Sequence, residues 1–470
     1  MQCRGGLELP AQTVGVADLG RLGDCAAKCT FSLGMARRSV TSKGEFMFDK
    51  KRFSIISLLA VLVLVGAGCA RDSGGGGAAG GGGEECPDSE FGCVEVASGD
   101  PITLGTLLVI SGPNASLGLD SQYGVQIAAD MRGDVLGHEI EFDHQDDGCV
   151  PEGGQTGAQA LVSDPAIVAV IGTSCSSAGV PAAEITSEKG YLMVSPSNTA
   201  PDLTDPATHQ PFYARTAHND NIQGAAMAQF AAENRKATTA ATIHDGSPYA
   251  QGLAEVFATV FEEQYGGQVT TEEAVQVGDK DFKPVLTSIA SKSPDYLYYP
   301  VFVPEGAGIT QQARQTSGLS DTDLAGSDGM LTPDFVEAAG EENTSGMFLS
   351  GPDLQFKNSF YEDEFLPAYK EDYGKPASVF HAHAFDATNM IFDAIEEVAI
   401  ETEDGGLLIP RTELKDAFFD TSGYEGIIGT LTCNEDGDCN PQTTIAVNEV
   451  TPAGAFEPAF TATLKLSETE

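Results

Sequence analysis

From Pro101 onward the chain alternates short apolar runs with amphipathic stretches. ITLGTLLVI reads as a buried strand and DSQYGVQIAADM as the helix after it; HEIEFDHQ is followed by QTGAQALV, AIVAVIG by SAGVPAAEITSEKG, and YLMVS closes the series. A second series starts after FYART (212–216). It runs through NIQGAAMAQFAAEN, TTAATIHD, PYAQGLAEVFATVFEEQYG, QVTTEEAVQV, DFKPVLTSIASK, DYLYYPVF, QQARQTSG and DLAGSDG. Repeated strand–helix–strand units predict an α/β protein with mostly parallel sheets covered on both faces. Beyond GMFLSG (346–351) come helical stretches over about 359–373, 384–403 and 412–419, then a glycine-rich hairpin region near CNEDGDC. At 470 residues the chain exceeds what one core supports, and two lobes are expected.

The pattern before residue 100 is of another kind. KKRFSIISLLAVLVLVGAGC (50–69) places three cations before an apolar run that ends in small residues and a cysteine, the order of a secretory signal peptide. The apolar run is short for a membrane span of about 20 residues. Its ending, VGAGC, resembles the bacterial lipobox, which implies a lipid on Cys69 and an extracytoplasmic, membrane-anchored protein. Residues 1–46 lack apolar periodicity and read as an upstream extension, with Met47 as the start of a signal over 47–68. RDSGGGGAAGGGGEE (71–85) has no apolar surface to bury, so 69–99 is expected to be a lipidated cysteine and flexible tether.

Composition narrows the partners. With 69 acidic against 25 basic residues and a net charge of -44, the surface repels nucleic acid and anionic lipid. Apart from Cys69, six cysteines follow the signal, at 86, 93, 149, 175, 433 and 439, an even number that favours disulfides in an oxidising compartment.

Several ordered segments carry a family resemblance. DDGCVPEGG (146–154), CSSAGVPAAEITSEKGYLMVSPSNTAPDLT (175–204), KDF (280–282), YYPVFVPEGAGITQQARQTSG (298–318) and GSDG (326–329) resemble the periplasmic branched-chain amino acid binding proteins of ABC transporters, of the type I solute-binding superfamily. The resemblance covers most of residues 100–450. It implies two Rossmann-like doubly wound lobes joined by three crossovers, with 100–217 plus 350–441 in lobe one and 218–349 plus 442–470 in lobe two. It also implies an amino acid, branched-chain or otherwise apolar, held in the cleft, and a membrane permease that recognises the closed form.

Physical chemistry gives the position of CSS its own meaning. Ligands of open α/β sheets bind beyond the carboxyl ends of strands, where a starting helix offers unpaired N–H groups to a carboxylate. Ser176 and Ser177 stand there; a plain helix cap is the alternative reading. The resemblance assigns Ser197 and Thr199 of SPSNT to the ligand's carboxylate and ammonium, where a polar turn is the blander reading. An ammonium in a closed cleft needs a negative partner, and the resemblance gives that role to Asp328 of GSDG, in place of the family's glutamate. Tyr249, Phe302 and Leu117 match positions that close over the ligand and make the pocket apolar, although each also fits ordinary core. Cys149 and Cys175 match the family's disulfide, and closing a loop of roughly 27 residues contributes about 3.5 kcal/mol in the chain-entropy picture. Proximity in sequence pairs Cys86 with Cys93 and Cys433 with Cys439.

Competing chemistries find little purchase. His381 and His383 sit two apart at a helix start and face different ways, so no metal site is expected. CNEDGDCN has the acidity of a calcium loop without its spacing. No GxSxG elbow or paired nucleophile and base is present, so no enzyme activity and no cofactor are expected. The remaining alternative is a sensor of amides, urea or aromatic carboxylates built on the same fold.

Overall fold

The computed structural model describes residues 86–466 apart from Ser89, Lys357 and Pro441. The signal over 47–68, the extension over 1–46, Cys69 and the glycine tract lie outside the described residues.

Two parallel sheets organise the described chain. The first series comprises β1 (Cys93–Val96), β2 (Ile102–Leu108), α1 (Ala115–Arg132), β3 (Ile140–Asp146), α2 (Pro151–Val162), β4 (Ile167–Gly172), α3 (Ser176–Glu188), β5 (Met193–Ser195) and β6 (Tyr213–Arg215). Strands β2 to β6 form a five-stranded parallel sheet in the order β3-β2-β4-β5-β6. Every residue of β4, IVAVIG, is buried, as a central strand covered on both faces requires. The second series comprises α4 (Asp220–Gln229), β7 (Thr239–His244), α5 (Pro248–Glu263), β8 (Gln268–Ala274), α6 (Lys283–Ala290), β9 (Tyr296–Tyr298), α7 (Val303–Arg314), β10 (Asp323–Gly326), α8 (Pro333–Ala339), α9 (Glu341–Thr344) and β11 (Phe348–Pro352).

The chain then returns to the first lobe as α10 (Leu366–Asp372), α11 (His381–Val398), β12 (Ile400–Glu401), β13 (Leu407–Pro410), α12 (Arg411–Phe419), β14 (Ser422–Glu425) and β15 (Thr430–Thr432). It crosses once more into β16 (Gln442–Val450) and β17 (Phe456–Lys465). These last two strands add antiparallel to β11, giving a seven-stranded sheet in the order β17-β16-β11-β10-β9-β7-β8. Helix α11 packs along α1, and α2 packs along α3, which together sheathe the five-stranded sheet.

The structure corrects the extent of the expected tether. Residues 93–96 are a strand, not linker: β1 pairs antiparallel with β13, Val94 and Val96 are buried, and the Cys86–Cys93 disulfide closes the turn before it. Phe91 meets Phe212 edge-on at 5.1 Å, and Asp88 accepts a hydrogen bond from the Thr412 amide at 2.8 Å. Alternating valines and one aromatic are enough to hold this segment on the first lobe.

Three crossings join the lobes, between β6 and α4, after β11, and between β15 and β16. The first and third are locked together. Arg215 is fully buried; its Nε donates to Asp438 Oδ1 at 2.5 Å and its Nη1 to the Ala200 carbonyl at 2.8 Å. The Cys433–Cys439 disulfide closes the loop that presents Asp438. The acidic tip CNEDGDC therefore serves the hinge, with Asp438 turned inward.

Candidate functional site

Both sheets reverse strand order at one point, and the site is built from those two points. In the first lobe the reversal lies between β2 and β4, in the second between β7 and β9. At such a point the loops leave in opposite directions and open a crevice beyond the carboxyl ends of the strands.

On the first lobe, β4 ends at Gly172, whose φ of 146° lies outside the range of ordinary side chains. A Cβ there would stand 2.1 Å from the Leu107 carbonyl oxygen, so only glycine lets the two paired strands lie this close at their ends. The loop that follows is laced to its neighbours. Asp147, fully buried, accepts from the amides of Ser174 at 2.6 Å and Cys149 at 2.7 Å, and burial pushes its carboxyl up to about 7. Cys149 and Cys175 are bonded beside it. Ser197 Oγ donates to the Ser174 carbonyl at 3.0 Å, and Ser176 Oγ accepts from the Ala200 amide at 3.2 Å. Cys175 occupies the cap position of α3 and no side chain caps the helix, so Ser176 does not act as the N-cap. Ser177 Oγ instead donates to the Cys149 carbonyl at 3.2 Å.

On the second lobe, Asp328 is buried and Oδ1 accepts from Gln223 Nε2 at 2.8 Å and from the Tyr249 hydroxyl at 3.0 Å. Burial raises its carboxyl to about 6. Gln223 also donates to Ser350 Oγ at 2.9 Å, and its Oε1 meets His218 Nε2 in a short contact. A second acid stands beside this one. Asp220, the first residue of α4, is fully buried, and neither carboxylate oxygen makes a well-formed hydrogen bond, although the Thr199 hydroxyl is near enough to favour its charged form. Burial, and then the charge of Asp328, push its pKa well above the ordinary range. Its own amide donates to the Thr199 carbonyl at 2.9 Å, which joins the SPSNT loop to the acid pair.

Leu117, Phe302 and Asp328 line one small cavity between the lobes, together with Asn114, Gly329 and Thr332. Its volume of about 10 Å³ is at the lower limit for a single water. Tyr249 stands behind it, its ring 5.1 Å from that of Phe302. Ser176, Ser197 and Thr199 are buried but do not line this cavity; Thr199 is joined to Asp220, which lies behind Asp328 and does not border it either. The lobes are closed on one another. Val109, Leu117, Cys175 and Phe380 of the first lobe run continuously into the second lobe's core, and Ser116 Oγ donates to Asp334 Oδ2 across the gap.

Two residues of this site, Asp220 and Gln223, were not picked out by sequence reasoning. The stretch NDNIQG directly after a crossing carried the signal, but an aspartate opening a helix reads first as a partner for the helix dipole. Asp328, expected to face an ammonium alone, is one of two acids.

Residues 101–455 match the family model described as periplasmic binding protein. The Leu/Ile/Val-binding protein homolog 3 of Brucella melitensis is 29% identical over 341 residues, 72% of this chain and 88% of that protein. The leucine-, isoleucine-, valine-, threonine- and alanine-binding protein of Pseudomonas aeruginosa is 31% identical over 304 residues, 64% of this chain and 79% of its own. Among solved structures, the leucine-binding protein LivK of Thermotoga maritima superposes with a TM-score of 0.68 at 28% identity, covering 77% of this chain and 98% of its own. The branched-chain amino acid transporter substrate-binding protein LivJ of Streptococcus pneumoniae, solved with isoleucine, gives 0.67 at 25% identity, covering 78% and 100%.

Proposed function

Because this chain belongs to the periplasmic binding protein family, we propose that it is the solute-binding component of an ABC importer and captures a branched-chain or other apolar amino acid between its lobes. The family consists of extracytoplasmic binding proteins, not enzymes. The observation that carries the ligand class is the acid pair. Asp328 lines the interlobe cavity and Asp220 is buried beside it, with no well-formed hydrogen bond to either of its carboxylate oxygens. Two carboxylates desolvated side by side repel each other, and a cation between them relieves both the repulsion and the missing hydrogen bonds. The ammonium of an amino acid meets that need.

The other end of the ligand has its own partner. The opening turn of α3, whose first N–H groups have no intrahelical acceptor, takes a carboxylate, with the Ser176 and Thr199 hydroxyls beside it. Leu117, Phe302 and Val303 supply the apolar part of the lining, which favours an aliphatic side chain there, beside the polar Asn114, Ser116, Thr332 and Ser378. Entry requires the lobes to part, because the closed cavity is too small for an amino acid; closure then brings the second lobe's Tyr249 and Phe302 over it. The permease reads the closed form. Anchoring through a lipid on Cys69 belongs to the same reading and is supported by the VGAGC sequence. No described helix is long and apolar enough to cross a membrane.

Calorimetry with leucine, isoleucine and valine, set against benzamide, urea and benzoate, tests the proposal. Micromolar or tighter binding of the aliphatic amino acids alone is expected. Tight binding of urea or benzoate without any amino acid would replace it by the sensor reading, which no feature of the acid pair favours.

A further inference from the structure

A second cavity lies between the lobes, and the amino acid site does not account for it. It is a cleft of about 560 Å³, partly open to solvent, a volume typical of sites for small organic ligands. Leu331 and Phe456 come to it from the second lobe, Leu354 from the middle crossing, and Val379 from the first lobe. Lys370 and Lys375 complete the wall on the first-lobe side. Both are exposed, and neither forms an ion pair with a carboxylate among the described residues. The one carboxylate in the lining, Asp353, accepts at Oδ1 from the Gln355 amide of its own turn at 3.0 Å. Behind this wall His381 is fixed from both ring nitrogens, by Asp120 at 3.0 Å and the Tyr361 hydroxyl at 2.9 Å, so the lining has a rigid backing.

This cavity is separate from the site described above. Ser378 lines both, but none of Ser176, Thr199, Asp220, Tyr249, Phe302 and Asp328 borders the larger one. Its chemistry is also opposite. The amino acid site gathers buried acids, whereas here two lysines face an apolar interior in a chain of net charge -44. An occupant that satisfies both features has an apolar body and one anionic group.

We propose that this cavity is an accessory binding site for a small apolar carboxylate, aliphatic or aromatic, whose headgroup lies between Lys370 and Lys375. Because its walls belong to both lobes, the occupant binds the closed form differently from the open one and shifts the balance between them. Coupling to amino acid capture rests on the proposed function; binding itself does not.

The test uses the fluorescent anion 1-anilinonaphthalene-8-sulfonate on the full folded chain, with octanoate as a competitor and uncharged N-phenyl-1-naphthylamine as a control. One saturable site is expected, emptied by octanoate and bound at least tenfold more weakly by the uncharged probe. Lys370→Glu/Lys375→Glu should weaken the anionic probe at least tenfold while leucine affinity stays within threefold. Leucine at saturation should leave the probe bound but change its Kd, and the probe should change the leucine Kd by the same factor. No saturable binding, binding untouched by the two lysine changes, or full competitive displacement by leucine would each overturn the assignment. If leucine fails to bind at all, the probe and lysine arms still decide this site while the amino acid reading falls by itself.

Discussion

Replacing Asp328 with asparagine keeps the shape of the side chain and an oxygen for Gln223 and Tyr249, and removes only the charge. Two consequences of opposite sign follow. Burial moves the Asp328 carboxyl from an ordinary 3.8 to about 6, so in the ligand-free protein its ionised form costs the fold about 3 kcal/mol. That cost is present above pH 6, shrinks as pH falls towards 4, and is absent where the group is protonated in both folded and unfolded chains. Asp328→Asn should therefore raise the ligand-free unfolding temperature at pH 7.5 and leave it nearly unchanged at pH 4. The same substitution leaves the ligand's ammonium with Asp220 alone. Losing one buried partner charge costs about 3 kcal/mol at the low end, so leucine affinity should fall by about a hundredfold. Differential scanning fluorimetry at the two pH values, with calorimetry at pH 7.5, reads both effects. A variant that binds leucine within threefold of the parent, or whose stability advantage grows as pH falls, would refute the role given to this carboxylate.

Other expectations follow from the same geometry. Leucine affinity of the parent protein should decline about tenfold between pH 7 and pH 5, because a protonated Asp328 offers the ammonium no charge; a flat titration calorimetry profile would contradict this. Asp220→Asn should weaken leucine too, and the double variant with Asp328→Asn should lose less than the sum, because each acid's charge acts on the other; additive losses in a double-mutant cycle would separate them. Arg215→Met should destabilise the fold by about 3–5 kcal/mol, since it leaves Asp438 buried and unpaired, and adding Asp438→Asn should restore part of that in urea melts. Removing the Cys149–Cys175 bond by paired serine substitution should cost about 3.5 kcal/mol in the same assay.

Much of the architecture was legible because local periodicity and global layering agree. A fully apolar run such as IVAVIG has only a central strand to become, and the alternation of such runs with helices leaves few topologies. The helix expected over 384–403 shows the limit of that signal. It runs instead from His381 to Val398, because Asp120, far away in sequence, accepts the amides of Phe380 and His381 and sets its start. The tether was drawn too long for a similar reason. Val94 and Val96 gain their meaning only from β13, more than three hundred residues later. At the site, Asp328 stood out through its glycine turn, whereas Asp220 could be recognised only once the fold had buried it beside Asp328. Arg215 and Asp438 gave no sign of each other, since the pairing depends on a chain that leaves a lobe and comes back.

The antiparallel pair β16–β17 has a bearing on biogenesis. Val447 and Val450 sit inside the second lobe's apolar interior, yet they are made about a hundred residues after the strand they flank. While the chain is being made, the second lobe thus has one sheet edge bare and part of its apolar interior uncovered, a template for unwanted strand pairing. Its maturation waits for the tail of the polypeptide to arrive, which makes that interval the one in which a holding chaperone has most to protect.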